Sequence, residues 1–130
     1  ARTGEPSPTT VLLMAAARRD FFLTVQHGQF YQGKPVIGYD LPGFGDELCG
    51  LPYLPRLIAK ARAKLVGSMG DDIIYCCEND RRFFRDHGNI HPADFLRVVW
   101  AAGDSDPKVY DYVRQRTLSV SSAVPDNEQT

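Results

Sequence analysis

Three cations recur every fourth residue in "LPRLIAKARAKLVGSMG", residues 54–70: Arg56, Lys60 and Lys64. At helical pitch this spacing stacks them in one exposed row. Three positive charges within two turns raise the local potential, so the row is a candidate site for a phosphate or carboxylate. More plainly, it is a solvated face whose long stems cover apolar surface. Arg62 projects from the opposite flank, where an acid such as Asp80 would make it a structural ion pair if buried. Cys77, with Lys60 near, would be an activated thiol nucleophile. The plainer alternative is a small buried hydrophobe, because no histidine stands in a convincing dyad context. Cys77 and Asp80 together make a candidate polar site beside the candidate anion set Arg56, Lys60, Arg62 and Lys64.

Other chemistry is weakly supported. Cys49, Cys76, Cys77, His87 and His91 offer ligand types for zinc but not its spacing. Gly43 and Gly45 lack the strand, the third glycine and the helix of a dinucleotide fingerprint. Asp40, Asp46 and Glu47 read as solvated loop acids. No metal and no cofactor is expected.

These side chains need elements to hold them. Pro55 suits the first turn of a helix and Gly67 or Gly70 its stop. Leu54, Leu57, Ile58, Ala61 and Leu65 supply its buried stripe. "DDIIYCC" has the propensity of an extended segment. Asn79 or Asp80 caps a short helix that ends at Gly88. Two further helices start at His91-Pro92 and Asp106-Pro107, the first ending at Gly103. Phe95, Val98, Val99 and Ala102 face inward on one, and Val109, Tyr110 and Val113 on the other.

Upstream, "ARTGEPSP" reads as an extended leader. A helix follows from Thr9 to Phe22 or beyond, opened by Ser7-Pro8. A rival pattern begins at Phe21, where "FFLTVQ", "QFYQ" and "PVIGY" suit a small β-meander. Residues 39–55 read as a long irregular connection, broken by glycines and prolines. The expected fold is therefore mainly α: a bundle of four to five helices, a long Gly/Pro-rich loop, and room for a small β-hairpin near residues 21–39. Residues 1–39 form an N-terminal extension, 40–116 the helical domain and 117–130 a tail.

The chain of 130 residues fits one domain that needs no metal or disulfide to fold. Its net charge of −1 provides no global field for nucleic acid, which is not an expected partner. Three cysteines, two of them adjacent, argue against a disulfide framework and point to a reducing cytoplasm. The longest apolar run, "VLLMAAA", is far short of the ~20 residues that span a bilayer, so no membrane span is expected.

"LPRLIAKARAKLVG", "YCCEND", "FF", "GNIHPADFLRVV" and "SDPKVYDYV" stand in an order and spacing that resembles the bacterial family of domain of unknown function 5069. Its members show "LxRxIDKARAKLAG", "YNCPLD", "FF", "LGIDAEEFLEAV" and "TDEEVLEWV". The resemblance spans residues 40–116. It implies a small, soluble, mainly helical bacterial protein and no particular activity. The matching polar positions are Arg56, Lys60, Arg62, Lys64, Cys77 and Asp80. Ala59 departs from the pattern by standing where the family has Asp, and Cys76, Glu78 and Asn79 replace Asn, Pro and Leu. A site that used the missing acid would have lost a member here.

Phe21, Phe22, Phe30 and Tyr31 lie outside that block, so they are candidates for docking the extension onto the core or onto a partner. Two functions remain. One is a non-catalytic interaction protein, an accessory subunit or a homo-oligomer, in keeping with the extension and the lack of a catalytic signature. The other is a small enzyme or ligand-binding protein for an anionic metabolite, working through Lys60, Arg62, Cys77 and Asp80. Convergence of those four side chains on one concave pocket favours the second.

Overall fold

The computed structural model describes the backbone of residues 6–128 and the side chains of residues 6–120. The first five residues of the expected leader, and the side chains of the expected tail from residue 121, lie outside the described residues. Among the described residues the fold is mainly helical, with five α-helices and one two-stranded antiparallel sheet.

Helix α1 spans Pro8–Thr24. Ser7 caps it by accepting from the Thr10 amide at 3.1 Å, and Pro8 occupies the first turn, where no N–H is needed. The helix overrides the β-meander pattern at Phe21. Met14 and Ala17 are buried in the core cluster and Phe21 packs on it, a helical spacing that a strand could not bury.

The only strands among the described residues are β1, Glu47–Leu48, and β2, Leu51–Pro52. The hairpin thus lies inside the loop expected to be irregular, and not at 21–39. Its turn residues explain the shift. Cys49 and Gly50 both take positive φ, 53° and 84°, as a two-residue turn that follows the strand twist requires. Residues 21–24, by contrast, are already spent on α1. "DDIIYCC" forms turns; the adjacent pairing is one isolated bridge, Val36 to Met69.

Helix α2 spans Leu54–Val66 and buries the expected stripe, Leu54, Leu57, Ile58, Ala61 and Leu65. Gly67 ends it in the left-handed region. Helix α3, Glu78–Asp86, follows a turn at Cys76 and Cys77. Helix α4, Pro92–Ala102, is capped by His91 Nδ1, which accepts from the Ala93 amide at 3.0 Å. It packs against α1, α2 and α5, and its Phe95 and Leu96 are fully buried at the centre. Helix α5, Asp106–Glu128, runs on through residues expected to be a tail.

Gly88, in the link from α3 to α4, packs against α5. Its φ of +94° and its position against the Arg116 backbone leave no room for a side chain, since an added Cβ would lie 2.6 Å from the Arg116 carbonyl oxygen. Arg116 Nη2 in turn donates to the Gly88 carbonyl at 2.8 Å. Gly88→Ala is expected to cost about 2 kcal/mol or more in urea unfolding. An unchanged midpoint would mean that the joint yields without strain.

Candidate functional site

Asp80 is the most deeply buried polar or charged residue among the described ones. It sits in the first turn of α3 with no exposed surface. A buried carboxylate must be met by donors from every side. Its Oδ2 accepts from the Cys76 amide at 2.8 Å and the Cys77 amide at 3.3 Å. Lys60 Nζ, from α2, donates to both carboxylate oxygens at 3.2 Å. The Tyr53 hydroxyl donates to Oδ1. Tyr53 and Cys76 both hold positive φ, 76° and 74°, a region costly for side chains of their size. Those two strained residues stand on either side of the same carboxylate.

The cluster decides how its members titrate. Burial first, then the hydrogen bond to Asp80, raises the Tyr53 pKa, so the phenol keeps its proton and stays a donor. Burial pushes the Cys76 thiol up to about 11; nearby Arg81 acts against this and Asp80 adds to it. Cys76 is therefore an inert sulfur. Cys77 differs. It is partly exposed, and Lys60 Nζ donates to its Sγ at 3.4 Å.

Cys77 and Lys60 line a cavity of about 190 Å³ with Leu41, Arg56, Asp72 and Ile73. Arg56 reaches it from one turn before Lys60. Its Nη1 donates to the Pro42 carbonyl at 3.0 Å, and its guanidinium lies 4.2 Å from the Phe44 ring centre.

The basic row is thus not an exposed face. Lys60 is only 5% exposed, and Arg56 and Lys64 are half-buried. Burial, and then Arg18, lower the Lys64 pKa. Arg62 takes no part in the cluster. Its Nη2 donates to Asp106 Oδ1 at 2.5 Å and to the Gly103 carbonyl at 3.0 Å, tying α2 to the start of α5. The acid considered for Arg62 is held by Lys60 instead. Lys60, Cys77 and Asp80 therefore converge, and Arg62 does not. Tyr53 was missed, and no spacing rule points to it. Lys60 is paired with Asp80, so its charge needs no acid at the neighbouring Ala59.

The aromatic candidates divide as well. Phe21 meets Trp100 edge-on at 5.3 Å and docks α1 onto α4. Phe22 and Phe30 pack on each other at 4.9 Å, with Phe30 71% exposed. The exposed Tyr31 donates to the Lys34 carbonyl at 2.9 Å.

The family model of Domain of unknown function (DUF5069) matches residues 45–123. The chain belongs to this family. The DUF5069 region holds Tyr53, Lys60, Cys77 and Asp80 and begins after Phe44, so Phe21, Phe22, Phe30 and Tyr31 lie ahead of it. No curated protein and no solved structure matches the chain. No helix among the described residues is long and apolar enough to cross a membrane.

Asp80→Ala would leave the Lys60 ammonium buried and alone, so a loss of about 3–5 kcal/mol is expected in urea unfolding. Lys60→Met with Asp80→Leu removes both charges and should restore part of it, whereas additive losses would show that the pair itself is not the source. A second expectation concerns pH. Cys76 goes from an ordinary 9.0 to about 11, so the folded chain holds that proton more tightly than the unfolded one. The resulting stability is fully present below pH 9 and is lost as pH rises to about 11. Stability should fall across that window, and less steeply in Cys76→Ala; equal slopes would contradict the assignment.

Proposed function

We propose that the protein works by association, as a non-catalytic interaction protein that docks through its N-terminal segment, with a second copy of itself as the first partner. One observation carries this reading. Of twelve large apolar side chains exposed among the described residues, ten lie between Val11 and Phe44. Single exposed apolar residues are ordinary, but their concentration in one segment marks a contact surface.

The segment is preformed rather than loose. The inner side of α1 is fixed by Met14, Ala17 and Phe21, and Asp20 pairs with Arg97 of α4 at 2.8 Å. Its other side presents Val11, Leu12, Leu13 and Leu23 to solvent. A net charge of −1 sets little repulsion between copies. Three free cysteines suit a reducing bacterial cytoplasm, and a role as accessory subunit of a larger assembly fits the same surface.

Sedimentation over a concentration series should show a mass that rises from 14.5 kDa toward twice that value. Leu12→Glu with Leu23→Glu should return the chain to monomer with its helicity unchanged. A wild-type chain that stays monomeric at every concentration sinks the self-docking.

A further inference from the structure

The cavity beside the Asp80 cluster carries a nucleophile and a cation in one wall. Cys77 Sγ accepts from Lys60 Nζ at 3.4 Å. Both oxygens of Asp80 hold that ammonium, and Lys60 is 5% exposed, so the charge cannot swing away from the sulfur. A partly exposed sulfur beside a fixed cation is the setting of reactive cysteines. The other two thiols lack it. Cys76 is buried, with its proton held by desolvation, and Cys49 is exposed, with no cation hydrogen-bonded to it among the described residues.

Arg56 supplies an independent sign of a ligand. Its Nε is buried and donates to nothing among the described residues. Buried guanidinium N–H groups are rarely left without an acceptor, and an anion is their best one. The carboxylate that shares the wall, Asp72, is engaged elsewhere, with its Oδ2 accepting from the Gly38 amide at 2.9 Å.

We propose that Cys77 is a nucleophilic thiol and that the cavity takes a small carboxylate-bearing electrophile oriented by Arg56. The inference does not rest on the association reading, although Phe44, one of the exposed apolar residues, lies under the Arg56 guanidinium. A volume of about 190 Å³ suits a ligand of a few heavy atoms. In the step, Cys77 Sγ forms a bond to the electrophilic carbon. The leaving group departs with the electron pair of the broken bond, and the thiol proton passes to water. Lys60 is a positioning residue: it holds an N–H donor on the sulfur and does not touch the electrophile.

Iodoacetate and iodoacetamide test this directly, since they share a reacting carbon and differ in carrying a carboxylate or a neutral amide. Each cysteine is followed by mass spectrometry in the folded chain. The ratio of iodoacetate to iodoacetamide rates should be about tenfold higher at Cys77 than at Cys49, a preference of one decade. Arg56→Gln should bring the Cys77 ratio down to that of Cys49. Lys60→Met should slow both reagents at Cys77 alone. Because that change strands Asp80, Arg56→Gln decides the matter if Lys60→Met does not fold. Equal ratios at Cys77 and Cys49, or a Cys77 ratio untouched by Arg56→Gln, overturn the proposal.

Discussion

A carboxylate with no exposed surface sets the terms for the middle of this protein. Asp80 can be buried only if donors surround it, and they come from three places in the chain: Tyr53 before α2, Lys60 within α2, and the amides of Cys76 and Cys77 before α3. Each donor fixes something larger than itself. Lys60 sets the rotation of α2 relative to α3. The two amides oblige the chain to turn sharply ahead of α3, with Cys76 in the left-handed region. Tyr53 takes the same region at the entry to α2. The strain of two bulky residues at positive φ, on the order of 1–3 kcal/mol each, is offset where an unmet buried carboxylate would cost more.

The same constraint shapes the cavity. Lys60 has three N–H donors, and two carboxylate oxygens and one sulfur stand within reach of them. Satisfying Asp80 therefore aims the ammonium at Cys77. A helix-wheel view would have put Lys60 in water, away from Cys77. The positions of the charge and the sulfur follow from the acid behind them.

How much of this is visible in the sequence depends on the range of the interaction. The stripe Leu54, Leu57, Ile58, Ala61 and Leu65 is a local period, and it is buried as its spacing predicts. Pro92 and Pro107 mark helix starts by local chemistry, and both helices begin there. The pairing of Lys60 with Asp80 spans twenty residues and follows no period. Lys60 also belongs by spacing to the same row as Arg56 and Lys64, so pattern alone assigns it to solvent. The ambiguity at Phe21 was of another kind. Two periodicities overlapped there, and burial of Met14 and Ala17 settled it for the helix. The hairpin at Cys49-Gly50 was hidden because cysteine is not a usual turn residue, so the signal rested on one glycine.

The chain keeps its two notable surfaces apart. The polar cluster depends on Tyr53, α2, α3 and the turn between them, all within the DUF5069 region, and of the cavity's lining Leu41 alone precedes that region. The exposed apolar side chains crowd into α1 and the segment after it, which precede that region. What holds α1 in place is chiefly apolar. Asp20 and Arg97 are each more than 40% exposed, and such a pair contributes only about 0–1 kcal/mol. Met14, Ala17 and the Phe21–Trp100 contact do more, because they shield the side of α4 that α1 covers. A helix held by one apolar side while presenting a second must leave that second side either wet or covered. Val11, Leu12, Leu13 and Leu23 make it costly to leave wet, and nothing in the arrangement of Asp80, Lys60 and Cys77 requires them. That independence means that the apolar side of α1 and the Asp80 cluster answer to separate physical constraints, one of burial and one of charge pairing.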